Sequence, residues 1–84
     1  MENDKNFFET TDTNIAATLV TLGWPVEITG HSRQGIFIFK NKEEMEKLVA
    51  DYWAHKLSVS PLKLLTTWKE LKNRVASMRG GYFG

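Results

Sequence analysis

The residues able to do chemistry are few and scattered. The 84-residue chain has two histidines, His31 and His55, and no cysteine. The histidines do not form a pair one helical turn apart, the spacing a helical zinc site uses. Without cysteine there is no disulfide, no thiolate metal site and no thiol nucleophile. Glu43, Glu44 and Glu46 stand where a helix begins, so they read as a cap and a solvated face, not as an acid–base pair. Gly30 and Gly35 mark a turn, and Gly80-Gly81 precede no helix, so nothing cradles a phosphate. The expectation is a protein without catalysis, metal or cofactor.

What remains is the chemistry of binding, carried by cations and aromatics. Residues 1–55 hold five Lys/Arg against nine Asp/Glu, whereas residues 56–84 hold six against Glu70 alone. The net charge of +1 thus hides an acidic body and a basic C-terminal third. The candidate contacts for a partner or a nucleic acid are Arg33, Lys63, Lys69, Lys72, Arg74, Arg79, Tyr82 and Phe83. On a helical wheel Lys63 and Arg74 share one side, Lys72 and Arg79 border the apolar arc, and Lys69 lies elsewhere. A helix that reads DNA would gather them on one face. Arg79-Gly80-Gly81-Tyr82-Phe83 has the composition of a single nucleic-acid-binding RGG element.

These residues must be positioned by elements that the patterning locates. The most apolar short run is Gly35-Ile36-Phe37-Ile38-Phe39, a central strand with both faces occupied, so Ile38 and Phe39 are both expected in the core. Asn6–Thr10 and Pro25–Thr29 read as two further strands, the second with Val26 and Ile28 inward. A helix is expected from Asp12 to Leu22, capped by Thr11 and stopped by Gly23, with Trp24 folding back on Leu19. Asn41 and Glu44 suggest a capping box opening a second helix that runs to His55, with the stripe Met45, Leu48, Val49, Tyr52 and Trp53. Ser60-Pro61 opens a third, ending near Met78, with the stripe Leu64, Leu65, Trp68, Leu71, Val75 and Met78. The fold class is therefore α+β, in the order β-α-β-β-α-α. Three amphipathic helices pack with a three-stranded antiparallel or mixed sheet of strand order 1-3-2. One domain accounts for residues 1–84, with 1–5 and 80–84 expected as loose ends.

Arg33-Gln34-Gly35 leading into Ile36–Phe39 resembles in part the aromatic central strand of RNA-recognition sheets. Gln34 displaces the basic residue, Ile36 replaces an aromatic, and the strand order differs. The plainer expectation places Phe37 and Phe39 in the core. A broader resemblance runs through Thr11-Asp12, Ala16-Ala17, Leu19, Leu22-Gly23, Phe37-Ile38-Phe39, Tyr52 and Leu71-Lys72. In these the chain is similar to a small family from bacteria and their phages that is catalogued only as a domain of unknown function. The resemblance implies a phage or mobile-element setting and carries no activity and no site residues.

The leading expectation is a small non-enzymatic accessory protein of phage type, acting by binding a host or phage protein, for instance as an inhibitor of a cellular or defence machine. A nucleic-acid-binding module using the basic C-terminal third is the alternative. A self-associating structural protein, such as a homodimer, is the third. The polar N-terminus and the lack of any long apolar stretch make the cytoplasm the expected location and leave no membrane role.

Overall fold

The computed structural model describes residues 6–30 and 35–78. The strands are β1 (Phe7–Thr10), β2 (Glu27–Thr29) and β3 (Ile36–Lys40), and the helices are α1 (Thr13–Thr21), α2 (Lys42–Trp53) and α3 (Pro61–Met78). Their order is the expected β-α-β-β-α-α. The sheet order is β1-β3-β2, with both pairings antiparallel. Only the central strand has neighbours on both sides, which suits the most β-prone run in the chain.

The register decides which face is core. Phe8 lies opposite Phe39, Thr10 opposite Phe37, and Ile28 opposite Phe37 from the other side. These side chains share the face on which the helices lie. Phe37 and Phe39 are 1% exposed, and they cluster with Ile15, Ala16, Ala17 and Leu19 of α1, Met45 of α2 and Leu71 of α3. Phe8 adds a tilted ring contact with Phe39 at 6.4 Å. Ala16 and Ala17 are fully buried, and their small side chains allow α1 to lie close in this core. The molecule is accordingly thin, 18 Å along its shortest axis, about one helix layer on one sheet layer.

The opposite face carries Phe7, Glu9, Glu27, Thr29, Ile36, Ile38 and Lys40. Among the described residues no helix covers it. This corrects the expectation that Ile38 lies in the core. Ile36 and Ile38 are half-buried, outside the core cluster, and flanked by polar partners. With the helices on a single face, the β-branched residues line the solvent side, where their fit to the pleated surface suffices.

The helix ends give further corrections. Asp12, not Thr11, caps α1: its Oδ1 accepts the N–H groups of Asn14 (2.8 Å) and Ile15 (3.2 Å). The Thr10 hydroxyl oxygen accepts the N–H of Asp12 at 3.0 Å, which holds the cap itself in place. Gly23 ends α1 at φ +108°, where its N–H bonds the Val20 carbonyl and that of Trp24 bonds Leu19. The expected fold-back of Trp24 is therefore present. The capping box at α2 is absent. Asn41 adopts φ 64°, ψ 65°, a left-handed turn from β3 into α2, and its side chain makes no capping bond. Asn tolerates this conformation better than most residues, and at φ 64° it lacks the extended backbone of a side-chain N-cap. Glu43 and Glu44 still place carboxylates in the first turn. Helix α2 stops at Trp53, two residues before His55. His55 takes φ 61° as the left-handed residue of the same kind of stop that Gly23 makes, with Lys56 N–H bonded to the Asp51 carbonyl.

Candidate functional site

The site follows from how α3 is set. Ser60 caps it, its hydroxyl oxygen accepting the Lys63 N–H (3.3 Å) and its carbonyl the Leu64 N–H (2.9 Å). Pro61 supplies the first residue with its φ already helical. At about 100° per residue, Leu64, Trp68, Leu71 and Val75 fall along one line, while Leu65 stands about 100° from Leu64 and Leu62 stands farther round. Burial follows that geometry. Leu71 is 2% exposed, whereas Leu65 is 51% and Leu62 75% exposed. The apolar arc of α3 is thus wider than its contact with the rest of the fold.

Helix α1 packs against both α2 and α3, but α2 and α3 scarcely meet each other. The gap between them is an open cleft of about 500 Å³. Asn14 and Thr18 of α1 form its floor, Tyr52 of α2 one wall, and Pro61, Leu64, Leu65 and Trp68 of α3 the other. None of the described lining residues is charged. The Thr18 hydroxyl donates to the Asn14 carbonyl (2.8 Å), so the floor is sealed from within. The polar handles left at the cleft are the Asn14 amide and the Tyr52 hydroxyl. Next to Tyr52, Trp53 is 62% exposed and packs edge-on against the Tyr52 ring at 5.1 Å. A concave, mainly apolar lining with few polar groups is the usual form of a binding site. A second concavity, of about 310 Å³, lies against Phe7 and Ile38 and is interrupted by Glu27, Lys40 and Asn41.

The described candidate cations are Lys63, Lys69, Lys72 and Arg74, all exposed on α3. They are not brought together. Lys63 and Arg74 lie on the side of Glu70, about 16 Å apart along the axis, while Lys69 and Lys72 lie on the side of Leu65. Lys72 Nζ is 5.4 Å from the centre of the Trp68 ring, at the edge of the cleft. Arg33, Arg79, Tyr82 and Phe83 lie outside the described residues, as does His31. Phe37 and Phe39 are buried beneath the helices, so their rings cannot stack on bases.

The sequence model of a family described as "Domain of unknown function (DUF5659)" matches residues 5–77. The chain belongs to this family. The match takes in every strand, α1, α2 and all but the last residue of α3, and so the whole cleft. No curated protein and no solved structure matches the chain. In this DUF5659 chain, the residues that sequence reasoning missed as a site are Asn14, Thr18, Tyr52 and Leu65. Tyr52, Leu64, Leu65 and Trp68 read as ordinary core stripes. The signal was the width of the α3 stripe: Leu65 and Leu62 extend it past what one packing face occupies.

Proposed function

We propose that the protein is a non-enzymatic binding module that holds an apolar segment of a second protein in the cleft between α2 and α3. The observation that supports this reading is the uncovered apolar wall of α3, where Leu65 stands half exposed beside Trp68 and Tyr52 over a cleft of about 500 Å³. Apolar side chains gathered at a concavity favour association because covering them removes apolar surface from water. In the phage or mobile-element setting implied by the resemblance, such a module acts by occupying a surface of a host or phage protein in the cytoplasm. Inhibition of that protein is the simplest outcome.

The test is site-specific crosslinking. A photoreactive residue replaces Leu65 in one variant and Thr29, on the open sheet face, in another. Both are irradiated in nuclease-treated extract of the native cell. A polypeptide adduct at position 65 that is absent at 29 supports the reading. Adducts at neither position, at 29 alone, or only to nucleic acid when nuclease is omitted overturn it. Leu65→Glu should leave the melting midpoint nearly unchanged, because the side chain is 51% exposed, and should abolish capture of the same polypeptide.

A further inference from the structure

Resting on the cleft as the binding site, we infer that its occupant is an acidic amphipathic helix of another protein. Three observations converge on that chemistry. First, the cleft is a missing helix–helix contact. Its walls are two helices that both pack on α1 and scarcely touch each other, and its floor is a third helix. An added helix fits a groove of that kind by laying apolar side chains at i, i+3 or i+4 and i+7 along it. Such an occupant also keeps its own backbone groups satisfied, which suits a lining whose polar partners among the described residues are the Asn14 amide and the Tyr52 hydroxyl.

Second, the charge on the α3 side of the rim is of one sign. On the α3 face shared with Leu65 the charged residues are Lys69 and Lys72, and the one carboxylate of α3, Glu70, lies on the far side. The ion pair found among the described residues joins Lys42 and Glu46 within α2 (4.0 Å). Lys72 has no carboxylate partner there. Its ammonium sits over Trp68, which is itself a wall of the cleft.

Third, the same charges disfavour a second copy docking through α3. Two such faces would gather Lys69 and Lys72 of both copies at one interface with no carboxylate from either α3 face, and uncompensated like charge at an interface selects against that pairing. Lys72 lies about 10 Å along the helix from Leu65. A partner helix therefore places an apolar anchor over Leu65 and Trp68, with a carboxylate about two turns away for Lys72.

The experiment uses the full chain and three fluorescein-labelled 18-residue helical peptides with the same Leu stripe. Their flanking positions carry Glu, Gln or Lys, and binding is read by fluorescence anisotropy at low and physiological salt. The Glu peptide should bind best, and the Gln peptide more weakly by roughly threefold or more for the rim charges together. The Lys peptide should bind more weakly still, by roughly the same factor again. Lys72→Glu, which leaves Lys69 to offset the new carboxylate, should erase the preference for the Glu peptide over the Lys peptide. Arg74→Glu makes the same change in net charge on the far side of α3 and should not. Circular dichroism confirms that both variants fold.

Equal affinity for the Glu and Gln peptides overturns the acidic assignment. So does an equal effect of Lys72→Glu and Arg74→Glu. Peptide binding that survives Leu65→Glu shows that the cleft is not where the helix sits. Concentration-dependent dimerisation that Leu65→Glu abolishes makes a second copy the occupant and ends the proposal. If no peptide binds while position 65 still crosslinks to a polypeptide, the helix inference fails and the protein-binding reading stands.

Discussion

Gly35 lies directly beneath Val75: a Cβ at Gly35 would stand 2.6 Å from Val75 Cγ2 and 3.2 Å from Cγ1. Gly35 is buried just before β3, and Val75 is in the last third of α3. Its φ is not in the left-handed region, so what the position demands is space. Because Val is stiff about χ1, its methyl groups cannot swing aside cheaply. The close approach seats the C-terminal half of α3 against the entry to β3, while its N-terminal half forms a wall of the cleft.

Gly35→Ala should therefore destabilise the fold by about 1–3 kcal/mol, the usual cost of overpacking. Urea denaturation measures it. The informative variant is the double mutant with Val75→Ala, which removes the clashing methyls. It should be more stable than the two single losses added together. Strict additivity would mean that the two residues do not meet.

The two faces of β3 should respond unequally. Phe39→Ala empties a site that is 1% exposed and should cost about 3–5 kcal/mol. Ile38→Ala, one residue away on the open face, should cost only ~1 kcal/mol. Thermal melts of the pair check this, and equal losses would place a cover on the face that carries Ile38.

His55 holds φ 61° without the freedom that glycine has. His55→Gly should raise stability by about 1 kcal/mol through relief of the left-handed conformation. Asn41→Gly should gain less, although Asn41 has nearly the same φ of 64°, since Asn tolerates that region. A lower melting point for His55→Gly would contradict the turn that ends α2.

The cap of α1 separates two neighbouring residues. Asp12→Ala should lose about 1 kcal/mol because two N–H groups lose their acceptor. Thr11→Ala should change little. Chemical denaturation of the two variants tests both statements.

Much of the fold was legible because periodicity and punctuation agreed. Gly23 and Ser60-Pro61 marked helix ends where the structure has them, and the run Ile36–Phe39 singled out the central strand. What misled was ambiguity in local chemistry. Asn41 followed three residues later by Glu44 is compatible with a capping box and with a left-handed turn, and the path from β3 into α2 selects the turn. An apolar strand alone does not say how many of its faces are covered, so Ile38 looked like core. The cleft was the least legible part. Leu65 and Tyr52 lie within apolar stripes, and only the failure of α2 and α3 to meet leaves them at an opening. Absence of contact between two helices distant in sequence has no local pattern.

The strand order β1-β3-β2 also bears on how the protein stays dispersed. An open three-stranded sheet ends in two strands whose outer backbone groups have no strand to pair with, and such edges template aggregation. Here β2 is only three residues long, it begins two residues after Pro25, and Glu27 and Thr29 are exposed. Proline donates no hydrogen bond, and a carboxylate beside the edge repels a second copy arriving in register. The short, proline-preceded and charged β2 is therefore a guard against polymerisation, and lengthening it into a continuous apolar strand would convert a working domain into a fibril seed.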